Sequence, residues 1–297
     1  MSIAFPGFTD RRIAVDTGAG EVAAWVGGEG PPVLLLHGYP QCRTMWHLVA
    51  PRLAETRTVV VADLRGYGDT GSPEPDAAAT THSKRAMAAD QVAAMAALGF
   101  PRFDVVGHDR GGRVAHRMAL DHPDAVRRAA VLDIVPTRTL LRGGDLGFAT
   151  AYWHWYFLAQ GGGLPERMIG GDPEWFVREI MRRWSRYPDR LHPEALAAYV
   201  AAFTPRAVAA SCADYRAAIG PDLEHDDADA DAGRRVTQPL LVLWGAHGAM
   251  ARLYDVLDTW HPVADRATGR ALDSGHFLPE EAPEETLLAL REFLSGD

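Results

Sequence analysis

A carboxylate stands at the centre of a glycine-rich turn in the segment Gly107-His108-Asp109-Arg110-Gly111-Gly112. The apolar run at residues 103–106 precedes this turn and a helix-like stretch follows it, which is the strand-turn-helix context of an exposed nucleophile. A serine at this position attacks carbonyl carbon, whereas a carboxylate can displace a leaving group from saturated carbon and form an ester that water then cleaves. Asp109 is therefore the predicted nucleophile for a bond at sp³ carbon, such as a carbon–halogen bond or an epoxide C–O bond.

Two arginines follow the nucleophile closely in the chain. Arg110 is the next residue and Arg113 lies one helical turn further on, so both guanidinium groups can reach one pocket at the positive end of the predicted helix. Guanidinium groups pair with carboxylates through two parallel hydrogen bonds. The two arginines therefore predict a substrate held by its carboxylate. The alternative is that one or both pair with a protein acid, such as Asp104 or Asp133.

The elements that must position these residues alternate between strands and helices. Continuous apolar runs, typical of parallel strands covered on both faces, lie at residues 33–36, 58–61, 103–106, 129–135 and 240–243. Shorter β-rich runs at residues 12–15 and 22–26 predict an antiparallel opening pair. Helical stretches at residues 45–55, 83–98 and 110–121 supply crossovers. This alternation predicts a doubly wound, mostly parallel α/β sheet.

A long insert interrupts the alternation between Pro136 and Pro239. Its predicted helices, several with proline in the first turn, lie at residues 149–160, 173–186, 193–203 and 205–219. We expect them to form a helical cap, residues 139–232, over the carboxyl ends of the strands, where open α/β sheets bind ligands. Residues 1–138 and 233–297 form the predicted core. The acidic run at residues 227–233 matches a calcium loop poorly and predicts a solvated loop.

A nucleophile of this kind needs a base, an acid that orients the base, and an oxyanion site. His276 follows the last strand-like run and is the predicted base. In hydrolases built on such sheets the acid usually follows the seventh strand, but residues 243–248 contain no carboxylate. Asp133, at the end of the sixth strand, is the predicted acid, with a structural salt bridge to an arginine as the alternative. The backbone N–H groups of Tyr39, in the segment His37-Gly38-Tyr39-Pro40-Gln41, and of Arg110 are the predicted oxyanion donors. Asp63 and Arg65, after the fourth strand, are expected to anchor their loop.

Composition limits the partners and the compartment. The 297 residues are 47% hydrophobic and 23% charged, with a formal net charge of −9. An acidic chain argues against nucleic acid or an anionic membrane as the main partner. The cysteines, Cys42 and Cys212, predict neither a disulfide framework nor a cysteine zinc site. No basic and apolar leader pattern or membrane-spanning run is recognisable, so a cytoplasmic location is expected.

The motifs together resemble the fluoroacetate dehalogenases, which belong to the haloacetate dehalogenases among the α/β-hydrolases. Besides the elbow, Arg113 and the loop at residues 37–41, the resemblance rests on Trp153-His154-Trp155-Tyr156-Phe157, Asp214-Tyr215-Arg216-Ala217, Asp222-Leu223-Glu224-His225-Asp226 and Ser274-Gly275-His276-Phe277. It implies an α/β-hydrolase fold, a small haloacid substrate, a homodimer and a reaction without metal or organic cofactor. Fluoroacetate would give glycolate and fluoride.

The resemblance also implies roles for individual residues. The resemblance implies that Asp109, His276 and Asp133 form the triad. It also implies that Arg110 and Arg113 bind the substrate carboxylate. The departing halide would be held by His154, Trp155 and Tyr215. Fluoride needs dense hydrogen bonding as its charge develops, and imidazole, indole and phenol supply three donors. Tyr199 and Tyr152 compete with Tyr215, and aromatic core packing is the alternative for the whole cluster.

Three other functions share parts of this pattern. An epoxide hydrolase has the same nucleophile, loop and cap, but it uses two cap tyrosines and has no need of two arginines beside the nucleophile. A haloalkane dehalogenase usually has tryptophan at the position of Arg110. A binding module that keeps the fold without turnover would not require Asp109, Asp133 and His276 together. No motif selects among fluoro-, chloro- and bromoacetate.

Overall fold

The computed structural model describes residue 3 and residues 5–296. Its strands are β1 (Phe8–Val15), β2 (Gly20–Gly27), β3 (Pro32–Leu36), β4 (Thr58–Ala62), β5 (Phe103–His108), β6 (Val126–Leu132), β7 (Leu240–Gly245) and β8 (Ala267–Leu272). They form one sheet in the order β1-β2-β4-β3-β5-β6-β7-β8. β2 pairs antiparallel with both β1 and β4, and the remaining neighbours are parallel. The predicted doubly wound sheet is confirmed.

The burial of the strands explains which of them the sequence reveals. All six residues of β5 are buried, and β3, β4 and β7 are buried along nearly their whole length. Such strands need apolar side chains on both faces. β8 is the edge strand beyond β7 and only its last residue, Leu272, is buried. Its mixed sequence therefore carries no continuous apolar run, and the strand was not predicted.

The helices, numbered in chain order, are α1 (Ala50–Leu53), α2 (Lys84–Ala97), α3 (Arg110–Asp121), α4 (Thr137–Arg142), α5 (Leu146–Ala151), α6 (Trp153–Leu158), α7 (Leu164–Gly170), α8 (Pro173–Trp184), α9 (Pro193–Ala202), α10 (Pro205–Ile219), α11 (Pro221–Asp231), α12 (Ala249–Leu253), α13 (Leu278–Glu281) and α14 (Pro283–Ser295). Three short 3₁₀ helices lie at Arg43–Trp46, Thr80–His82 and Pro188–Arg190. The helix predicted at residues 45–55 was wrong as one element, since a 3₁₀ turn and the single turn α1 replace it.

Helices α4 to α11 lie between β6 and β7 in the chain, in the region predicted as a cap. Side chains of Asp172 and Thr204 cap the first turns of α8 and α10, and each of these helices then begins with proline. The helix predicted at residues 149–160 is interrupted at Tyr152, between α5 and α6. The residue bounds of core and cap stay a prediction.

The acidic run that was predicted as a solvated loop is helical over residues 227–231, so the loop was wrong, although residues 228 and 230–233 are exposed. It forms the end of α11, where Asp226 and Asp229 both pair with Arg117 of α3, at 2.5 and 2.6 Å. Asp227 pairs with Arg138 at 2.8 Å and also with Arg142. These partners lie far away in the sequence, and they neutralise the acidic charge that suggested solvation.

No single helix in the described part of the chain is long and apolar enough to cross a bilayer. Residues 193–202 and 205–231 are together long and apolar enough to cross a bilayer, but the two helical segments are bent by 83° relative to each other.

Candidate active site

The turn between β5 and α3 holds Asp109 in a conformation that few residues adopt. Its φ is +48°, in the left-handed region, and it directly precedes the first residue of α3. A Cβ on Gly107 would lie 2.2 Å from the carbonyl oxygen of Gly111, and one on Gly111 would lie 2.4 Å from that of His37. Both positions therefore require glycine. The tight turn leaves the Asp109 carboxylate at the positive end of a twelve-residue helix.

The predicted base and acid meet at the end of the sheet, beside the nucleophile. Nδ1 of His276 lies 2.6 Å from Oδ2 of Asp133, and Nε2 of the same ring lies 4.0 Å from Oδ2 of Asp109. The other oxygen of Asp133 accepts a hydrogen bond from the backbone N–H of Gly245 at 2.9 Å. Among the described residues no arginine pairs with Asp133, which removes the salt-bridge alternative. The geometry is that of an orienting acid, a base and a nucleophile in sequence.

Nearby charges shift the pKa values of His276 and Asp109 in opposite directions. Burial opposes a charge on His276, but the hydrogen bond and negative charge of Asp133, together with the charge of Asp109, raise its pKa above the usual value. Burial also opposes ionisation of Asp109, yet His276 and Arg110 outweigh it and lower its pKa to about 2. Asp109 is thus ionised, as a nucleophile must be.

One predicted oxyanion donor already touches the nucleophile. The backbone N–H of Tyr39 donates to Oδ1 of Asp109 at 2.9 Å. Arg110 is the first residue of α3, and the first N–H groups of a helix have no carbonyl partner within it. The Tyr39 N–H therefore contacts the carboxylate that would form the ester, and the Arg110 N–H stays a predicted donor.

The two predicted substrate arginines differ in their partners. Arg110 is fully buried, and its Nε and Nη2 bind the carboxylate of Asp214 at 2.9 and 2.6 Å. The alternative that it pairs with a protein acid is therefore the correct one, and only its Nη1 has no partner. A bidentate pair that uses two guanidinium nitrogens of Arg110 is excluded, because Nε and Nη2 are already engaged with Asp214. The two N–H groups of Nη1 are still available.

Arg113 has no acidic partner among the described residues. Its Nη1 donates to the carbonyl oxygen of Val135 and to Oγ1 of Thr137, both at 3.0 Å, and its Nε has no partner. Burial and the like charge of Arg110 lower the pKa of Arg113. A buried cation that lacks a counterion is costly and attracts an anionic ligand.

The three predicted halide ligands carry buried polar atoms that have no hydrogen-bond partner in the described part of the chain. These atoms are Nδ1 of His154, Nε1 of Trp155 and the hydroxyl of Tyr215. The ring of Tyr215 lies 5.7 Å from that of His154 and 5.5 Å from that of Trp155. Buried polar groups are normally hydrogen-bonded, so three unpartnered donors in one cluster indicate a ligand site.

His154 and Tyr215 are both in protonation states that can donate a hydrogen bond. Burial lowers the pKa of His154 to about 3, so its imidazole is neutral and keeps one N–H. Burial raises the pKa of Tyr215 well above the usual value, so the phenol keeps its hydrogen. The hydroxyl of the competing Tyr199 donates to Glu280 at 2.8 Å and is already used. Tyr215 is therefore the better placed of these two tyrosines.

A cavity of about 490 Å³ leads to the triad. Its lining includes Asp109, His154 and His276, and three cap or loop arginines, namely Arg183, Arg186 and Arg252. The remaining predicted ligands are buried and do not line this cavity; they are Arg110, Arg113, Trp155 and Tyr215. The guanidinium of Arg110 lies 4.1 Å from the centre of the Tyr215 ring.

Three residues of the site were missed in the sequence. Trp184 lines the cavity, with its ring 4.5 Å from that of His154 and 5.3 Å from that of His276. Asp214 holds Arg110, and Glu281 contacts the loop of His276. Asp214 directly precedes Tyr215 and could have been considered, whereas nothing in the sequence separates Glu281 from its neighbour Glu280.

Several residues of the sequence analysis lie outside the chemistry. Asp63 accepts hydrogen bonds from the backbone N–H groups of Arg43 and Asp69, and Arg65 pairs with Asp90, so both anchor loops as expected. Cys42 and Cys212 are free and buried. Over residue 3 and residues 5–296, no group of three or more His, Cys, Asp or Glu side chains is arranged to hold a metal ion.

Comparison with known proteins finds a matching family model, similar sequences and similar solved structures. A family model described as the alpha/beta hydrolase fold matches residues 31–283. A fluoroacetate dehalogenase from Burkholderia sp is 47% identical, with 98% of this chain and 95% of that protein aligned. A soluble epoxide hydrolase from Corynebacterium sp. (strain C12) is 34% identical over 86% of this chain and 87% of its own length. A solved mutant structure from Pseudomonas aeruginosa, provisionally described as an epoxide hydrolase with bound MFA, is 45% identical, covers 98% of this chain and 96% of that one, and superposes with a TM-score of 0.92.

Proposed function

This chain belongs to the alpha/beta hydrolase family, and we propose that within it the protein hydrolyses the carbon–halogen bond of haloacetates, fluoroacetate included. The observation that carries the proposal is the cluster of three buried, unpartnered donors on His154, Trp155 and Tyr215 near the nucleophile. Such a cluster suits a small anion that forms during the reaction. The name of the Burkholderia relative supports the same substrate class.

In the first step, an oxygen of Asp109 attacks the α-carbon of the haloacetate in line with the carbon–halogen bond. A C–O bond forms, the carbon–halogen bond breaks, and the electron pair leaves with the halide toward the three donors. Arg113 binds the substrate carboxylate and Arg110 donates to it from Nη1. Holding the reacting atoms about 3 Å apart and aligned removes much of the entropic barrier.

In the second step, His276 takes a proton from water, and the hydroxide attacks the carbonyl carbon of the Asp109 ester. The oxyanion faces the backbone N–H groups of Tyr39 and Arg110. Collapse breaks the ester bond to the substrate oxygen, which takes the proton from the His276 imidazolium and leaves as glycolate. The Asp109 carboxyl then loses its proton to solvent, and Asp133 stabilises the imidazolium until it has given up its own. The ester has no charge on Asp109, so one of the charges that raise the pKa of His276 is absent when the base must be neutral.

Epoxide hydrolysis is the second candidate, because the relatives include epoxide hydrolases and Tyr215 has a free phenol. Arg113 argues against it. A buried guanidinium without an acidic partner favours an anionic substrate, and an epoxide is neutral.

The test compares halide release from fluoroacetate and chloroacetate with turnover of an epoxide, for the wild type and for Asp109→Asn. We expect halide release from the wild type alone. A single turnover in heavy-oxygen water should place the label in Asp109 before it reaches glycolate. Epoxide turnover without halide release would refute the proposal. The homodimer and the cytoplasmic location remain predictions, to be measured by sedimentation and by fractionation.

A further inference from the structure

Glu281, at the end of α13, is a buried carboxylate that touches two separate parts of the chain. Its Oε2 accepts hydrogen bonds from the backbone N–H groups of Arg186 at 2.7 Å, Tyr187 at 2.9 Å and Gly275 at 3.0 Å. Its Oε1 accepts a bond from the N–H of Phe277 at 3.0 Å. Gly275 and Phe277 flank His276, whereas Arg186 and Tyr187 follow α8 in the cap region.

The same two segments also contact each other directly. The backbone N–H of His276 donates to the carbonyl oxygen of Trp184, the last residue of α8, at 3.0 Å. A Cβ on Gly275 would lie 2.4 Å from the backbone nitrogen of Arg186. Gly275 therefore permits a close backbone contact between the loop of His276 and the cap region. Glu281 accepts hydrogen bonds from both sides of this contact.

The number and kind of these bonds indicate more than ordinary packing. Hydrogen bonds to a charged acceptor are roughly twice as strong as neutral ones, and four N–H donors can offset the cost of burying the carboxylate. Glu281 is fully buried, and both of its carboxylate oxygens already accept hydrogen bonds from backbone N–H groups, so neither oxygen is free for a substrate. Any role in the reaction must act through its neighbours.

We propose that Glu281 is a positioning residue that fixes the imidazole of His276 for ester hydrolysis by tying residues 275–277 to residues 184–187. This inference rests on the proposed two-step reaction. Asp109 alone attacks the substrate in the first step, and His276 acts as base only in the second. Loss of the Glu281 carboxylate should therefore slow ester hydrolysis while halide release in the first turnover stays close to normal.

The decisive variant is Glu281→Gln, which keeps the size of the side chain. The amide nitrogen cannot accept hydrogen bonds from N–H groups, so at least one of the four donors loses its acceptor. We expect kcat for chloroacetate to fall by about 10- to 100-fold, a part of the contribution usual for a positioned general base. The first-turnover burst of chloride should stay within about twofold of wild type if this separation of steps is correct. Rapid quench followed by mass measurement of the intact protein should show the accumulated ester.

Asp104→Asn provides a matched control. Asp104 is also fully buried and multiply paired, with Arg57 at 2.8 Å and Arg127 at 3.0 Å, but it lies near the start of β5, at the opposite end of that strand from Asp109. Its loss should lower the melting temperature without accumulation of the ester. If Glu281→Gln does not fold, Glu281→Asp keeps the carboxylate but withdraws it by one methylene, and it should accumulate the ester to a smaller extent.

Two results would overturn the positioning role. One is a folded variant at position 281 that hydrolyses the ester at the wild-type rate. The other is an equal slowing of burst and turnover, which is the behaviour expected of general damage to the site. Absence of halide release from the wild type is a separate result, because it refutes the proposed function and this role with it.

Discussion

Arg110 and Arg113 lie one helical turn apart, yet removal of Arg110 should mainly lower stability and removal of Arg113 should mainly weaken substrate binding. Arg110 is bound by Asp214, whereas Arg113 forms no salt bridge with any residue that the structure describes. Breaking a buried ion pair from one side costs about 3–5 kcal/mol. Lys84 also pairs with Asp214 and would remain, which places Arg110→Met near the lower end, at about 3 kcal/mol. For a chain of this size such a loss lowers the melting temperature by about 5 °C.

Arg113→Met removes two hydrogen bonds, to Val135 and Thr137, each worth about 1 kcal/mol. It also removes a buried charge that has no counterion and that repels Arg110, and this gain offsets the loss. We expect the free energy of unfolding to stay within about 1 kcal/mol of wild type. The substrate carboxylate loses a charge-assisted bond worth about 1.5–3 kcal/mol, so KM should rise by about 10- to 150-fold.

The assay pairs thermal unfolding of the unliganded proteins with steady-state halide release from chloroacetate. Reference variants are available on the same helix, because Arg117 pairs with Asp226 and Asp229 away from the cavity and should affect stability alone. If Arg113→Met melts as low as Arg110→Met and keeps the wild-type KM, then Arg113 is a structural cation and the assignment of the substrate carboxylate to it is refuted.

Three further predictions follow from the site. Asp133 raises the pKa of His276 and remains beside it in the ester, while the pKa of Asp109 is about 2. On acidification kcat should therefore fall as His276 becomes protonated, with no loss from Asp109 until near pH 2; a pH profile with an acid limb near pH 4 would contradict this. Tyr215→Phe should leave the melting temperature unchanged or higher, since it removes an unpartnered buried hydroxyl, and should slow fluoride release more than bromide release, by about 10-fold or more in a comparison of single turnovers. Gly107→Ala should destabilise the fold by about 3 kcal/mol in denaturant unfolding because its Cβ meets the carbonyl of Gly111, and an unaffected midpoint would contradict the elbow geometry.

The sequence predicts those parts of the fold whose physics is local. The strand at residues 103–106, the turn around Asp109 and the helix at residues 110–121 follow from apolar runs, glycine positions and helical periodicity. The structure places α3 at those same residues, Arg110–Asp121. β8 escaped prediction because an exposed edge strand has no need of a continuous apolar run.

Charge pairing over long distances in the chain is what the sequence could not reveal. The pair between Arg110 and Asp214 spans 104 residues, and it decides how many hydrogen bonds Arg110 can offer a ligand. The same applies to α11. Its aspartates predict a solvated loop from the sequence, whereas in the structure Arg117 pairs with Asp229. The resemblance supplied the candidates for the halide cluster, but the absence of other partners for those donors is a structural finding.

The five residues from Asp133 to Thr137 connect β6 to the first helix after the sheet, and they serve two parts of the site. Asp133 orients the base, while Val135 and Thr137 hold Arg113. Exchange of caps between relatives would therefore be sensitive to where the crossover is made. A chimaera joined before Asp133 imports a foreign acid and foreign partners for Arg113, whereas one joined after Thr137 keeps both. A cap exchanged at this junction keeps the triad and the partners of Arg113, but the new cap must itself supply the halide donors and the partner of Arg110.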